Sequence, residues 1–508
     1  MNQNANLYVH FIRRFPSDLS QPLLVTQLGR QVSYQEAIDK AERISATLLE
    51  LGASKGDRVT VQVDKSPEAL FLYLACLRAG LIYHPLNMAY TSSELAYFLA
   101  NAEPSVIVCQ PQKVTEISSL APPRSSMYSG VKAILSLDTD GSGSLIDRVK
   151  STAIAAKISE CSGGDIAALL YSSGTTGRPK GIMLSHDNLR SNAQTLVALW
   201  GFTHNDILLH ALPIYHVHGL FVAISCVLMS GAKMVWHSAF DDNQAINDLS
   251  KCTVMMGVPT FYTRLLANPN FTRESCTNMR LFISGSAPLL SDTFAQFEDR
   301  TGHRILERYG MSETGMNTSN PLVGQRRAGT VGLPLPGVQL RIVNEQQSLS
   351  EVGEPGNLQV KGPNVFDGYW RMPNKTAEDF TKDGFFNTGD KAQIDSDGYV
   401  SIVGRAKDMV ISGGLNVYPK EVELIIDELD GVRESAVIGV PDADFGEAVV
   451  AIIVAAAAAP TAEALLSHCR QSLANFKVPK RFEFVAGLPR NAMGKVQKNA
   501  LRQRFSKT

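Results

Sequence analysis

Two short apolar runs, Ile166-Ala167-Ala168-Leu169-Leu170 and Ile182-Met183-Leu184, enclose the stretch Tyr171-Ser172-Ser173-Gly174-Thr175-Thr176-Gly177-Arg178-Pro179-Lys180-Gly181. Each run predicts a short buried strand, so the polar stretch between them is a loop anchored at both ends. Gly174 and Gly177 let backbone N–H groups come close to an anion. The hydroxyls of Ser172, Ser173, Thr175 and Thr176, with the ammonium of Lys180, supply bonds to phosphate oxygens. This is the chemistry of a triphosphate cradle. The spacing is not G-x-x-x-x-G-K-S/T, because Gly181 follows the lysine and no long helix opens there, which disfavours an ordinary P-loop kinase or ATPase. A polar surface hairpin is the plain alternative for any loop of this composition.

The chain before the loop has a strand–helix rhythm. Ser33-Tyr34-Gln35-Glu36 has the form of a capping box and precedes apolar residues at helical spacing (Ile38, Ala41, Ile44, Leu48), which predicts a helix between Val32 and Leu51. Asp57 to Val63 alternates as a strand, Ser66 to Ala79 reads as a helix and Ser105 to Cys109 as another strand. After the loop, Ser185-His186-Asp187-Asn188 caps a helix running to about Trp200. Ala211 to Gly219 reads as a strand end entering a polar loop. Lys233–Trp236, Val254–Val258 and Leu281–Ser284 read as strands, the last entering the tight turn Gly285-Ser286-Ala287-Pro288. Strands that deliver polar loops to one rim build a ligand site in open α/β sheets.

At 508 residues the chain exceeds what one core organises, so at least two domains are expected. The texture changes near Arg405-Ala406-Lys407-Asp408, a polar connector. We expect an α/β protein with α+β subdomains: a large N-terminal domain of helix-covered sheets, 1–406, and a small mobile C-terminal α/β domain, 407–508. From Gln471 onward nine Lys/Arg face only Glu483, a solvated face or a surface drawn to phosphates. Overall, 48 Lys+Arg against 49 Asp+Glu leave no global field for nucleic acid or an acidic membrane. Seven scattered cysteines without a C-x-x-C pair suggest neither a zinc site nor a disulfide framework, and fit a reducing cytoplasm. The opening residues lack the order of a secretory signal, and Lys233 interrupts the apolar run from Leu220 to Trp236, so no spanning helix is expected.

Four further stretches carry chemistry: Tyr309-Gly310-Met311-Ser312-Glu313-Thr314, Asn387-Thr388-Gly389-Asp390, Gly404-Arg405-Ala406-Lys407-Asp408 and Pro489-Arg490-Asn491-Ala492-Met493-Gly494-Lys495. Together with the loop from Tyr171 to Gly181, they resemble, in order and over nearly the whole chain, the motifs of the adenylate-forming superfamily, which includes acyl-CoA synthetases. The resemblance implies that Ser172–Gly177 and Lys180 cradle ATP phosphates, that Gly285, Ser286, Ala287, Gly310 and Met311 bind ATP or AMP, and that Tyr309 packs on adenine. It further implies that Thr314 bonds phosphate, Glu313 holds Mg2+ and Asp390 accepts the ribose hydroxyls with Arg405 nearby. Lys407 would be the hinge, and Ser412, Gly413 and Gly414 would line the tunnel for CoA after the small domain turns. Lys495 would bridge the attacking carboxylate and the α-phosphate, with His216 and Thr175 assisting; a cation there lowers the repulsion between two anions as they meet. Acetylation of Lys495 by an acetyltransferase, reversed by a deacetylase, would cancel that charge.

Leu212 to Leu220, Gly257 to Leu266 and Ser312 to Pro321 resemble malonyl-CoA synthetases in particular, which implies malonate or methylmalonate as the acid. Malonate keeps a second carboxylate after the first is activated, and burying it unpaired costs on the order of several kcal/mol. A guanidinium answers it in bidentate fashion. Arg264, on the helix that Pro259 opens, is the residue this reading selects, with His216 at the entrance and Ser284 or His218 adding hydrogen bonds. The alternatives are a short-chain or aryl acyl-CoA ligase and a domain that loads a carrier-protein thiol. A nucleotide-binding regulator without catalysis is disfavoured, since AMP binding alone needs no cation at a reacting carboxylate.

Overall fold

The computed structural model describes residues 4–506 except 124–128, 152–156, 172–178, 406–407, 413–414, 443–445, 474 and 492–493. The loop residues Ser172, Ser173, Gly174, Thr175, Thr176 and Gly177, the hinge Lys407 and the pair Gly413 and Gly414 therefore lie outside the described residues, as do the Arg405 side chain and the 406/407 boundary.

A seven-stranded sheet runs in the order Gly368–Tyr369, Gly181–Ser185, Ile166–Tyr171, Ile82–Pro85, Arg58–Gln62, Val106–Cys109, Ala133–Ser136. Its middle is parallel, and Ile166–Tyr171 and Gly181–Ser185 pair antiparallel, so the two runs around the polar loop form a hairpin. Arg58–Gln62 is buried at four successive positions instead of alternating, because helices cover both faces of a parallel sheet. The helix Pro67–Ala79 behind it is buried all round; Ser66 caps its start and Gly80, at φ 68°, ends it. In the helix Tyr34–Glu50, Ser33 accepts from the Glu36 N–H as expected, whereas the Glu36 carboxylate pairs with Arg30 at 3.1 Å, so only half of the capping box forms.

A nine-stranded sheet places Leu306–Met311, Leu281–Ser284, Val254–Gly257, Ile207–His210, Lys233–Trp236 and Pro22–Thr26 side by side in parallel. The expected strand end at Ala211–Gly219 is a loop; the strand stops at His210, and a helix begins at His218 and continues through Ser230. One apolar core joins both sheets and the helices between them. A four-stranded antiparallel sheet (Gln339–Val343, Gly356–Lys361, Phe386–Ile394, Val400–Arg405) packs beside them.

From Val410 on, the chain has cores of its own, built on a five-stranded sheet whose long pair is Val432–Asp442 and Gly446–Ala455. The architecture is thus α/β with a large N-terminal and a smaller C-terminal domain.

Candidate active site

The parallel strands of the nine-stranded sheet end on one rim at His210, Trp236, Gly257, Ser284 and the Glu307-Arg308 pair. Chain reversal at Gly285-Ser286 is tight: Ser286 holds φ 73°, a left-handed value unusual for a side chain with Cβ, and its hydroxyl lies 3.2 Å from His218 Nδ1. Gly285 is required by contact, since a Cβ there would stand 2.4 Å from the Arg308 guanidinium carbon. Gly310 is required likewise; its Cβ would stand 2.1 Å from the Gly315 carbonyl across the hairpin Leu306–Met311/Gly315–Ser319.

On the nucleotide side, the expected residues meet one another. The Tyr309 hydroxyl donates to Asp390 Oδ2 at 2.6 Å, and the Asp390 N–H donates to Thr388 Oγ1 at 3.1 Å. Glu313 is buried, its carbonyl accepts from the Phe366 N–H at 2.8 Å, and the Tyr369 hydroxyl stands 3.4 Å from Oε1. Burial, with the Glu313 and Asp379 carboxylates, raises the Tyr369 phenol above its ordinary range. Lys180 lies 4.2 Å over the Tyr369 ring and 3.5 Å from Asp379 Oδ2. Thr314 is fully buried; its hydroxyl accepts from Asn317 at 2.8 Å, leaving lone-pair capacity but little exposure. Tyr369 and Asp379 are members of this cluster that sequence reasoning missed. Among the described residues no group of three or more His, Cys, Asp or Glu gathers to hold a metal ion. One buried carboxylate at Glu313 fits Mg2+ of the kind that is bound mainly by phosphates and water.

On the opposite side lies a different arrangement. Arg308 is 3% exposed, and none of its three side-chain nitrogens has a hydrogen-bond partner among the described residues. Burial alone pulls its guanidinium down to about 10. Ser284 Oγ, His216 Nε2 and His218 Nε2 are buried and equally without partners among the described residues. Burial pushes His216 down to about 4 and His218 also well down, so both rings are neutral at neutral pH. The Tyr262 hydroxyl, by contrast, is satisfied by the Ile283 carbonyl at 2.6 Å. A buried cation beside neutral hydrogen-bonding groups is chemically suited to receive one anion.

Arg264 is not part of that cluster. Its side chain is 53% exposed, pairs with Asp242 at 3.2 Å and covers Phe240. The helix Pro259–Ala267 does start at Pro259, but Arg264 falls in its last turn, on an exposed surface. The arginine that sequence reasoning missed, Arg308, had a visible signal: Glu307-Arg308 places two charges inside an otherwise apolar strand.

Lys495 is exposed on a turn in the C-terminal domain, and Ser412 is buried in that domain's sheet. The turn reaches the N-terminal domain, since a Cβ on Gly494 would lie 3.9 Å from Thr260 Oγ1, on the helix that also carries Tyr262.

Tyr309, Glu313, Asp390 and Lys180 thus gather with Tyr369 and Asp379 in one polar cluster of the large domain, and the small domain carries Lys495 on an exposed turn. Residues 14–370 match the family described as AMP-binding enzyme, and residues 421–495 match the AMP-binding enzyme C-terminal domain. The chain is 34% identical to the malonate–CoA ligase of Arabidopsis thaliana, covering 94% of this chain and 85% of that protein. It is 33% identical to a feruloyl-CoA synthase of an Amycolatopsis species, covering 94% of each. Among solved structures, ATP-bound MatB from Rhodopseudomonas palustris is 50% identical, superposes with a TM-score of 0.95 and covers 99% of both chains. The apo form of MatB, with the same identity and coverage, superposes with a TM-score of 0.86. The chain belongs to the AMP-binding enzyme family and is an AMP-forming acid–thiol ligase, which joins a small-molecule acid to CoA with consumption of ATP. No helix among the described residues is long and apolar enough to cross a membrane.

Proposed function

We propose that the acid is malonate, with methylmalonate as an alternative substrate, and that the product is malonyl-CoA. The carrying observation is Arg308: a fully buried guanidinium without a partner among the described residues, beside Ser284, His216 and His218. Malonate brings the missing charge. One carboxylate pairs with Arg308, and the other is left at the rim where Lys495 and the phosphates meet. A ferulate-type or fatty acid has no second carboxylate, so it would leave the guanidinium uncompensated. The likeness to malonate–CoA ligases and to MatB supports the same reading. Arg264, at the outer rim, steers the dianion toward the pocket.

In the first step a carboxylate oxygen attacks the α-phosphorus and the bond to pyrophosphate breaks. Lys495 lies between the two anions, Lys180 and residues 172–177 hold the phosphates, and Asp390 with Arg405 holds the ribose. Tyr309, Gly285, Ser286, Ala287, Gly310 and Met311 flank the adenine, and Thr314 bonds phosphate. Mg2+, held by Glu313, would neutralise phosphate charge. In the second step the small domain, bounded at 406/407, turns about Lys407; the CoA thiol reaches the acyl carbon past Ser412, Gly413 and Gly414, and AMP leaves. His216, neutral and buried, donates to the reacting carboxylate, and Thr175 completes the phosphate contacts. The seven cysteines are all free and buried, which suits the cytoplasm. Lys495 is exposed, so an acetyltransferase could reach it.

The test is AMP release by the purified protein with ATP, Mg2+ and CoA over a panel of acids. Malonate is expected to exceed acetate, propionate and ferulate by at least about 10-fold in kcat/KM. Preference for any monocarboxylic acid would overturn the assignment.

A further inference from the structure

The turn that presents Lys495 is tied down on both legs by carboxylates of its own domain. Within the turn, Arg490 and Val496 form an antiparallel bridge. The Asn491 N–H donates to the Lys495 carbonyl at 2.9 Å, the Gly494 N–H to the Asn491 carbonyl at 2.8 Å, and the Lys495 N–H to Asn491 Oδ1 at 2.9 Å. These bonds shape the turn but do not fix where it stands.

Placement comes from outside. On the incoming leg, Arg490 donates through Nη1 to the Gly494 carbonyl at 2.6 Å and through Nη2 to the carboxylate of Glu434, on the strand Val432–Asp442. On the outgoing leg, Lys498 opens the helix Lys498–Phe505 and pairs with Glu423 at 2.6 Å. Glu423 also accepts from the Val437 N–H at 2.9 Å, and the Lys498 and Glu423 side chains are only 17% and 9% exposed. Burial alone would raise the Glu423 carboxyl; Lys498 and Lys420 outweigh it and hold the group below its ordinary value. An ion pair so withdrawn from water has one geometry, unlike the fluctuating pairs of an open surface. Two anchors on opposite legs also prevent the turn from pivoting about either one.

We propose that Glu434 and Glu423 are positioning residues for adenylation. Acting through Arg490 and Lys498, they hold the Lys495 turn against Thr260, so that the ammonium arrives between carboxylate and α-phosphate. A displacement of about 1 Å at such a contact costs up to on the order of 100-fold in rate. Transfer of the acyl group to CoA takes place with the domain turned away and Lys495 withdrawn, so it does not depend on the clamp. The inference rests on the role given to Lys495 above.

The experiment uses the full chain and reads the two half-reactions separately: acid-dependent exchange of pyrophosphate into ATP, and CoA ester formation from supplied acyl-adenylate. Glu434→Gln is expected to lower the exchange kcat on the order of 10-fold, with KM for ATP and acid changed by less than about 2-fold, and to leave the second half-reaction within about 2-fold. The exchanged pair Glu434→Arg with Arg490→Glu is expected to regain at least about half of the exchange rate. Glu423→Gln, a buried site, should show the same split at an intact melting profile. Equal losses in both half-reactions, or no loss in exchange, would overturn the clamp. If malonate elicits no exchange from the unaltered chain, the malonate assignment fails; the same comparison with the acid that does elicit exchange still decides the clamp.

Discussion

The two sides of the active site differ in what their polar groups do without ligand. On the nucleotide side they are occupied with one another: Tyr309 with Asp390, Tyr369 with Glu313, Lys180 with Asp379. On the side proposed to take the acid, Arg308, Ser284 and His218 are buried and His216 is half-buried, with nitrogens and a hydroxyl that have no partner among the described residues. On the reading proposed above, the nucleotide side exchanges protein contacts for ligand contacts, whereas the acid side has polar groups with no protein contact to give up among the described residues. An anion entering there would supply the partner that the fold leaves open, so the proposed site would select by charge more strongly than by shape.

The largest effect expected from this contrast is at Arg308. Arg308→Met should cut kcat/KM for malonate on the order of 100-fold or more, as loss of a buried charge partner does. It should also raise the melting temperature of the ligand-free protein, because an uncompensated buried charge is replaced by apolar volume. A fall in melting temperature would show that Arg308 is paired in the free protein, and the contrast would vanish. Asp390→Ala sharpens the other half: it breaks contacts that already exist, so we expect a lower melting temperature together with a rise in KM for ATP of roughly 10-fold.

A smaller effect appears in the pH dependence of stability. Burial pushes the Glu307 carboxyl from its ordinary 4.5 up to about 8, so the folded state favours its neutral form. Its contribution is complete below 4.5 and is lost as pH rises through 8. Glu307→Gln should therefore raise the melting temperature more at pH 8.5 than at pH 6. His216 and His186 act at the acid end. Both are pushed down to about 4, by burial foremost, so their contribution is present above 6.5 and is lost as pH falls toward 4. Melting scans across pH read both limbs.

Much of this was legible from local pattern. Pro259, Ser66 and Ser185 mark helix starts because capping and proline rules act within one turn. The two strands that flank residues 172–178 followed from two apolar runs, whereas their antiparallel pairing came from the structure. Burial of Arg58–Gln62 on both faces was not legible as alternation, since it depends on helices far along the chain. The helix from His218 to Ser230 was hidden behind a polar loop, because its nearly unbroken apolar run carries no helical period. Arg264 was selected because malonate calls for a guanidinium and Gly257 to Leu266 resembles malonyl-CoA synthetases. Which arginine is buried, however, is decided by strand order, and Leu306–Met311 lies next to Leu281–Ser284 through pairing that no local motif encodes.

The most direct measurement compares malonate with propionate, which differs by the absence of the second carboxylate, in the unaltered protein and in Arg308→Met. The account predicts that the ratio of kcat/KM values, malonate over propionate, collapses by on the order of 100-fold, with propionate turnover held or improved. An unchanged ratio would contradict it and return the selecting charge to another residue.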